Sequence, residues 1–241
     1  MNSTRRIPLL AAGVLTAALT LTACGGSGGG GGGATGKQCT AAGDATTALA
    51  KAKKAFDDAP SVHLSLSTST EPSGSAILAA EGVLTHQPGF KGSAKVKVPI
   101  FGSVESPVIA VDGKVYAKIP GPSYAEIKPA DFNAPDPASF ADPDTGLSSL
   151  LLDLAPTGGC TVKRIDGDLL AVFTGTLTGA QVAKIIPSAN TSSSYTATIG
   201  INDAGQVAHL STTGDFFSES APATYDVTLG DYDKTATISA P

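Results

Sequence analysis

Tryptophan is absent, methionine occurs once, and five Tyr and eight Phe are thinly spread over 241 residues. So few rings predict that the space between sheet and helices is lined mainly by Val, Leu, Ile and Ala. Histidine occurs three times, at His63, His86 and His209, without metal-ligand spacing and without a His-Glu-x-x-His motif. A zinc-hydrolase reading therefore fails, and no metal or cofactor is expected. No nucleophile–base pair is visible either, so the chain is not expected to be an enzyme. Long apolar runs are scarce: the one from Ile7 to Leu21 falls short of the roughly 20 residues of a bilayer span and has Pro8 near its start. Basic charge is also in deficit, 16 Lys and Arg against 21 Asp and Glu.

The short apolar run instead completes a secretory signal: Arg5 and Arg6, then the run, then small residues before Cys24. Leu21-Thr22-Ala23-Cys24 reads as a lipobox, where the signal is cut before the cysteine and lipid is attached to it. Residues 1–23 are thus expected to be a signal peptide, and Cys24 the acylated first residue of an exported, membrane-anchored protein. Each buried methylene adds about 0.8 kcal/mol, so two or three chains such as palmitate make a firm anchor. Arg5-Arg6 is compatible with twin-arginine export, Pro8 departs from that pattern, and the general secretory route stays open.

Removal of Arg5 and Arg6 leaves 14 basic against 21 acidic residues, a net charge of −7. Such a chain is not expected to seek nucleic acid, whose binding rests on Lys and Arg neutralising phosphates. By the same balance it should not lie flat on an anionic membrane, leaving attachment to the lipid alone. From Gly25 to Gly36 the chain is almost pure glycine, a flexible tether spanning about 20 Å. Its match to phosphate-loop and nucleophile-elbow patterns is an accident of composition, since no strand or helix flanks it. The tether is assigned to residues 24–40 and a single folded domain to 41–241. With Cys24 lipidated, Cys39 and Cys160 remain as an even pair in an oxidising compartment, which predicts a disulfide.

The domain reads as β-rich. Val62-His63-Leu64-Ser65-Leu66-Ser67 and Ala94-Lys95-Val96-Lys97-Val98 alternate apolar and polar residues, the period of half-buried strands. Asp112-Gly113 and Asp166-Gly167 are two-residue hairpin signals. Asn202-Asp203-Ala204-Gly205 turns Tyr195–Ile201 into Val207–Leu210, and Thr224–Leu229 and Ala236–Ser239 are expected as the last strands. Three apolar stripes predict helices: Ala45, Leu49, Ala52, Phe56 and Ala59; Leu147, Leu150, Leu151 and Leu154 after a cap at Asp144; and Val182, Ile185 and Ile186 before Pro187. Residues 128–143, rich in Pro and Asp, should be irregular. Asp142-Pro143-Asp144-Thr145-Gly146 resembles a calcium loop only faintly and suits helix capping better. Asn190-Thr191-Ser192 has the form of a glycosylation sequon in a polar loop, where such tripeptides arise by chance. The result is an α+β domain, one long antiparallel sheet with amphipathic helices on one face. Small branched residues could line a cavity or fill a solid core, and composition alone favours the core.

Three stretches resemble the LppX/LprG (LppX-LprAFG) family of actinobacterial lipoproteins. They are Val111-Asp112-Gly113-Lys114-Val115-Tyr116-Ala117, Ala141-Asp142-Pro143-Asp144-Thr145-Gly146-Leu147, and Gly175-Thr176-Leu177-Thr178 leading into Gln181-Val182-Ala183-Lys184-Ile185-Ile186-Pro187. The resemblance implies a strongly curved single sheet, a half-barrel, with helices on its concave side enclosing an apolar cavity. It further implies binding of acylated lipids or glycolipids and their carriage across the cell envelope from the outer face of the cytoplasmic membrane. The Gly28–Gly33 run and the Cys39/Cys160 pair are not family hallmarks and rest on this chain alone.

On that reading the expected cavity walls are Ala94, Val96, Val98, Val115, Ala117 and Ile119 on the sheet, faced by Leu147, Leu150, Leu151 and Leu154 on a helix. The alternative is a non-transporting envelope lipoprotein, structural or signalling, whose cavity is vestigial.

Overall fold

The computed structural model describes residues 35–70, 74–98, 102–119, 121–217 and 222–241. The signal, the lipobox with Cys24 and most of the glycine tract lie outside the described residues. Helix α1 (Thr35–Ala42) occupies the end of the stretch assigned to the tether, and α2 (Ala45–Asp58) follows. Asp44 caps α2: its backbone is extended and its carboxylate accepts the Thr47 N–H at 3.0 Å. The expected stripe is the one α2 buries, with Leu49, Ala52 and Phe56 facing the core.

Six strands then meander: β1 (Ser61–Thr68), β2 (Ala76–Thr85), β3 (Gly89–Val98), β4 (Gly102–Val111), β5 (Lys114–Ala117) and β6 (Ala125–Ile127). Two 3₁₀ turns, Pro129–Phe132 and Pro137–Ala141, lead to α3 (Ser149–Asp153). A second run of antiparallel strands follows: β7 (Ala155–Pro156), β8 (Thr161–Ile165), β9 (Asp168–Thr178), then α4 (Gly179–Val182), β10 (Ser194–Ile201), β11 (Val207–Gly214) and β12 (Ala223–Gly230). Pairing of β1 with β12, Leu64 opposite Leu229 and Leu66 opposite Val227, welds both runs into one open antiparallel sheet. The hairpin turns behave as their sequences dictate. Asp112 and Gly113 have φ 54° and 71°, and Asp166 and Gly167 have 51° and 97°, the left-handed pair that matches strand twist.

Two expectations need correction. Ala236–Ser239 is not a strand, because both edges of the preceding β12 are already used, by β1 and β11. The leucine helix is also shorter than its stripe, and Asp144 does not cap it. Asp142 is the acceptor there, its carboxylate taking the N–H groups of Asp144 at 2.9 Å and Thr145 at 2.7 Å to close a turn before α3 begins.

The inner face of the sheet is graded in size. One register row runs Phe173–Ile199–Leu210–Val227–Leu66–Ala80–Ala94–Ser106 from β9 to β4. The next row continues from Leu64 through Gly82 and Gly92 to Val108 and Ala117. Bulky side chains thus occupy one half and small ones the other. A Cβ on Gly92 would sit 2.0 Å from the Glu81 carbonyl oxygen, and one on Gly82 2.4 Å from that of Lys91, so the two strands approach where only glycine fits.

Cys39 and Cys160 are joined, Cα–Cα 5.6 Å, closing a loop of 121 residues and tying α1 beside β8. The chain-entropy model attributes about 4–5 kcal/mol to a loop of this length, so Cys160→Ser should lower unfolding free energy by roughly that amount, measured by denaturant titration. Gly92→Ala should cost about 1–3 kcal/mol or more by the same measurement. Gly159→Ala, in open space, should stay within about 0.5 kcal/mol.

Candidate functional site

Over the small half of the inner face, the sheet and its cover do not close. The cover is the proline-rich segment, which lays Pro129, Phe132, Pro135, Pro137 and Phe140 across β2 to β6. Between them lies an apolar cavity with about 50 Å³ of space for the centres of water-sized molecules. It exists because Ala80, Ala94, Ser106 and Ala117 are too short to reach the cover, while Ile77, Phe90 and Val96 wall its sides. In the other half Phe56, Leu147 and Leu151 meet Val207, Leu210, Val227 and Leu229 without room for a water molecule.

Five of the residues expected at a cavity, Ala94, Val96, Val115, Ala117 and Ile119, are brought together around this one. Val98 shares their face but lies at the end of β3 and does not line it. The four leucines are elsewhere. Leu147, Leu150, Leu151 and Leu154 are buried, with α3 against α2, so they fill the closed half of the core. The opposing wall is built instead by the 3₁₀ turns, whose Pro and Phe residues carry no periodic signal.

Among the described residues, Ser106 is the single polar side chain on the cavity wall, and it is already engaged. Its hydroxyl donates to the Pro107 carbonyl at 3.1 Å and accepts the Lys118 N–H at 3.0 Å. The β4–β5 ladder stops at Val108–Ala117 beside Pro107, which has no N–H, and Ser106 takes over from it. A second satisfied group supports the wall at Ile77, where the register of β2 and β3 shifts. The Tyr225 hydroxyl donates to the Ile77 carbonyl at 2.6 Å, and burial holds this phenol well above its usual pKa, so it remains a donor. Tyr225 is itself clamped edge-on by Phe216, which also meets Tyr195, both at 4.8 Å between centroids.

The cover is tied to α2 through a polar clamp. Lys53 Nζ lies 2.7 Å from Asp57 and donates to the Pro143 carbonyl, while Ser148 Oγ donates to Asp57 at 2.6 Å. Asn133 Nδ2 donates to the Ser75 carbonyl and fixes the cover to the start of β2.

The histidines are not assembled into a site. His63 lies 3.8 Å from Glu81, His209 lies 3.7 Å from Asp226, and His86 stands edge-on to Phe56 at 5.0 Å. Among the described residues no group of His, Cys, Asp and Glu could hold a metal ion. The Asn190 amide donates to Asp215 at 2.7 Å, and its oxygen accepts the Ser192 N–H. A wider groove of about 1030 Å³ passes His86, Asp57, Asp112 and residues 235–240, but its lining is half polar, which suits hydrocarbon poorly.

The profile described as LppX_LprAFG lipoprotein matches residues 44–238. The chain is 25% identical over 203 residues to the lipoarabinomannan carrier protein LprG of Mycobacterium leprae (strain TN), covering 82% of each. LprF from Mycobacterium bovis superposes with a TM-score of 0.64 at 21% identity, over 82% of this chain and 96% of that one. LppX from Mycobacterium tuberculosis superposes with a TM-score of 0.56 at 15% identity, over 81% and 98%. At those identities the two structures speak for the fold.

His86 supplies a pH test of the frame behind the cavity. Burial holds its imidazole below the ordinary value near 6.5, with the Ala59 backbone and Asp57 opposing the shift only in part. The unfolded chain therefore binds this proton at a higher pH than the folded one. Stability from His86 is complete above about pH 7 and declines as pH falls below the ordinary imidazole range. His86→Leu should flatten thermal-melting profiles over that window, leaving the steeper loss from carboxylates at lower pH unchanged.

Proposed function

Given that the chain belongs to the LppX_LprAFG lipoprotein family, we propose that it binds the acyl chains of lipids or glycolipids in the cavity between β2–β6 and the proline-rich cover and carries them across the cell envelope. The observation that carries this reading is the chemistry of the cavity wall. Among the described residues its one polar side chain, Ser106, already has its partners, so a methylene entering there displaces no hydrogen bond. Each methylene enclosed there recovers about 0.8 kcal/mol that would be lost in water. The relative named as a lipoarabinomannan carrier supports a glycolipid as the cargo.

The space now present is far below the roughly 300–1,000 Å³ of a pocket enclosing a whole ligand, so a complete acyl chain enters only as the walls part. The sheet resists, since each strand there is hydrogen-bonded along its length. The cover is the part that yields: it is held by the packing of short 3₁₀ turns, the Asn133–Ser75 hydrogen bond and the Lys53 clamp at its far end, with no strand ladder to the sheet. Cys24 is proposed as the acylated residue that holds the protein at the outer face of the cytoplasmic membrane, with residues 25–34 as its tether.

Ala94 and Val227 lie on one register row, one in the open half and one in the closed half, and they separate the readings. Ala94→Phe should change unfolding free energy by less than about 1 kcal/mol while removing the lipids that mass spectrometry recovers from purified protein. Val227→Phe should cost about 1–3 kcal/mol and leave recovered lipid unchanged. Marked destabilisation by Ala94→Phe, with no lipid in the parent, would favour the non-transporting envelope lipoprotein. For the anchor, Cys24→Ala should abolish labelling by a palmitate analogue.

A further inference from the structure

The net charge of −7 expected after signal removal hides a strong segregation. Residues 89–128, the stretch of β3 to β6, carry six lysines against Glu105, Asp112 and Glu126, whereas residues 129–241 carry four basic against thirteen acidic residues. Alternation decides where the lysines point. Ala94 and Val96 line the cavity, so Lys91, Lys95 and Lys97 project from the opposite, outer face of β3. Lys114 of β5 and Lys118 just past its end join them, both exposed. Glu126 neutralises Lys114 at 3.2 Å, Glu105 stands directly across from Lys95, and Lys118 lies over the Tyr124 ring at 4.8 Å. Glu81 of β2 shares the outer face opposite Ser93, and Lys91 and Lys118 leave a positive surplus on the β3–β5 part of it. The outer face of β1 and β10–β12 is of another kind, bearing Ser65, Ser67, Thr198, Ser211 and Thr228 around Asp226.

We propose that the outer face of β3–β5, centred on Lys91, Lys95 and Lys118, docks on the anionic surface of the bilayer to which the chain is tethered. The inference rests on the anchored, lipid-binding reading and adds an orientation to it. The tether root is at the other end of the sheet order, where α1 is bound to Cys160 beside β8. With a tether of about 20 Å, the anchor keeps the domain at an effective concentration where modest attraction suffices. Each lysine near an anionic surface strengthens attachment about fivefold. Two attachments, one covalent at the β8 end and one electrostatic at the β3–β5 end, would hold the cavity-bearing half of the sheet against the membrane. Net repulsion of the whole chain is not decisive, because charges beyond about 10 Å from the surface are screened. An acidic protein partner is a different occupant, and the same experiment separates it.

The test makes the anchor independent of cellular lipidation. With Cys39 and Cys160 joined, Cys24 is the one free thiol of the chain from residue 24 onward, and a maleimide lipid couples there. The coupled protein is placed on vesicles of phosphatidylcholine alone, or of phosphatidylcholine mixed with phosphatidylglycerol. Rates of amine acylation at individual lysines are then read by mass spectrometry. Lys91, Lys95 and Lys118 should react at least about fivefold more slowly on the phosphatidylglycerol vesicles. Molar salt should restore their rates, and Lys163 and Lys184 should react alike on both vesicles. Replacing Glu105 and Glu126 by Gln should deepen the protection. Equal rates at Lys91, Lys95 and Lys118 on both vesicles, or equal protection of Lys163 and Lys184, would overturn the proposal and leave this face to a soluble acidic partner. Lipid recovery from the same protein reports separately on the cavity.

Discussion

Pairing of β1 with β12 is the constraint on which the molecule depends. It joins the first strand of one antiparallel run to the last strand of the other, and so turns two curved ribbons into one sheet with a single apolar face. That face must be covered, and the chain has two means of covering it. Where side chains are large, Phe56 of α2 with Leu147 and Leu151 closes against it completely. Where they shrink to Ala, Gly and Ser, only a thin proline-rich segment lies across, and a gap remains. The cavity is thus a consequence of side-chain size along register rows that cross the weld.

The gap would be unstable if it held an unpaired polar group, because burial of such a group costs about 1–3 kcal/mol. Ser106 and the Ile77 carbonyl are the two places where this could happen, at a proline and at a register shift. Each is supplied with a partner, Lys118 N–H in one case and the Tyr225 hydroxyl in the other. The cost of interrupting the ladder is offset locally, and the described cavity lining is apolar apart from Ser106.

Much of the frame was legible in the sequence, because it depends on local signals. Asp-Gly pairs marked hairpins, alternation marked β1 and β3, and the α2 stripe marked its buried face. Alternation also put Ala94 and Val96 on the right side of β3. What the sequence could not reveal was anything set by register between distant strands. The leucine stripe announced burial but not the partner surface, and it went to Val227 and Leu229 rather than to Ala94 and Val115. The true cover, from Pro129 to Phe140, is aperiodic and looked like a loop. A visible hint was the run of small residues at Ala79, Ala80, Gly82, Gly92 and Ala94, which gains meaning once those strands are paired. A chain-wide charge total likewise says nothing about which face carries the lysines.

The central claim is that acyl chains occupy the space between β2–β6 and the proline-rich cover. Photo-crosslinking with a lipid bearing a diazirine along its acyl chain tests it most directly, with attachment sites read by peptide mass spectrometry. Attachment should concentrate in the peptides spanning Ala94–Val96, Val115–Ile119 and Phe132–Phe140. Attachment confined to Leu147–Leu154, to the outer face of the sheet, or absent altogether would contradict it.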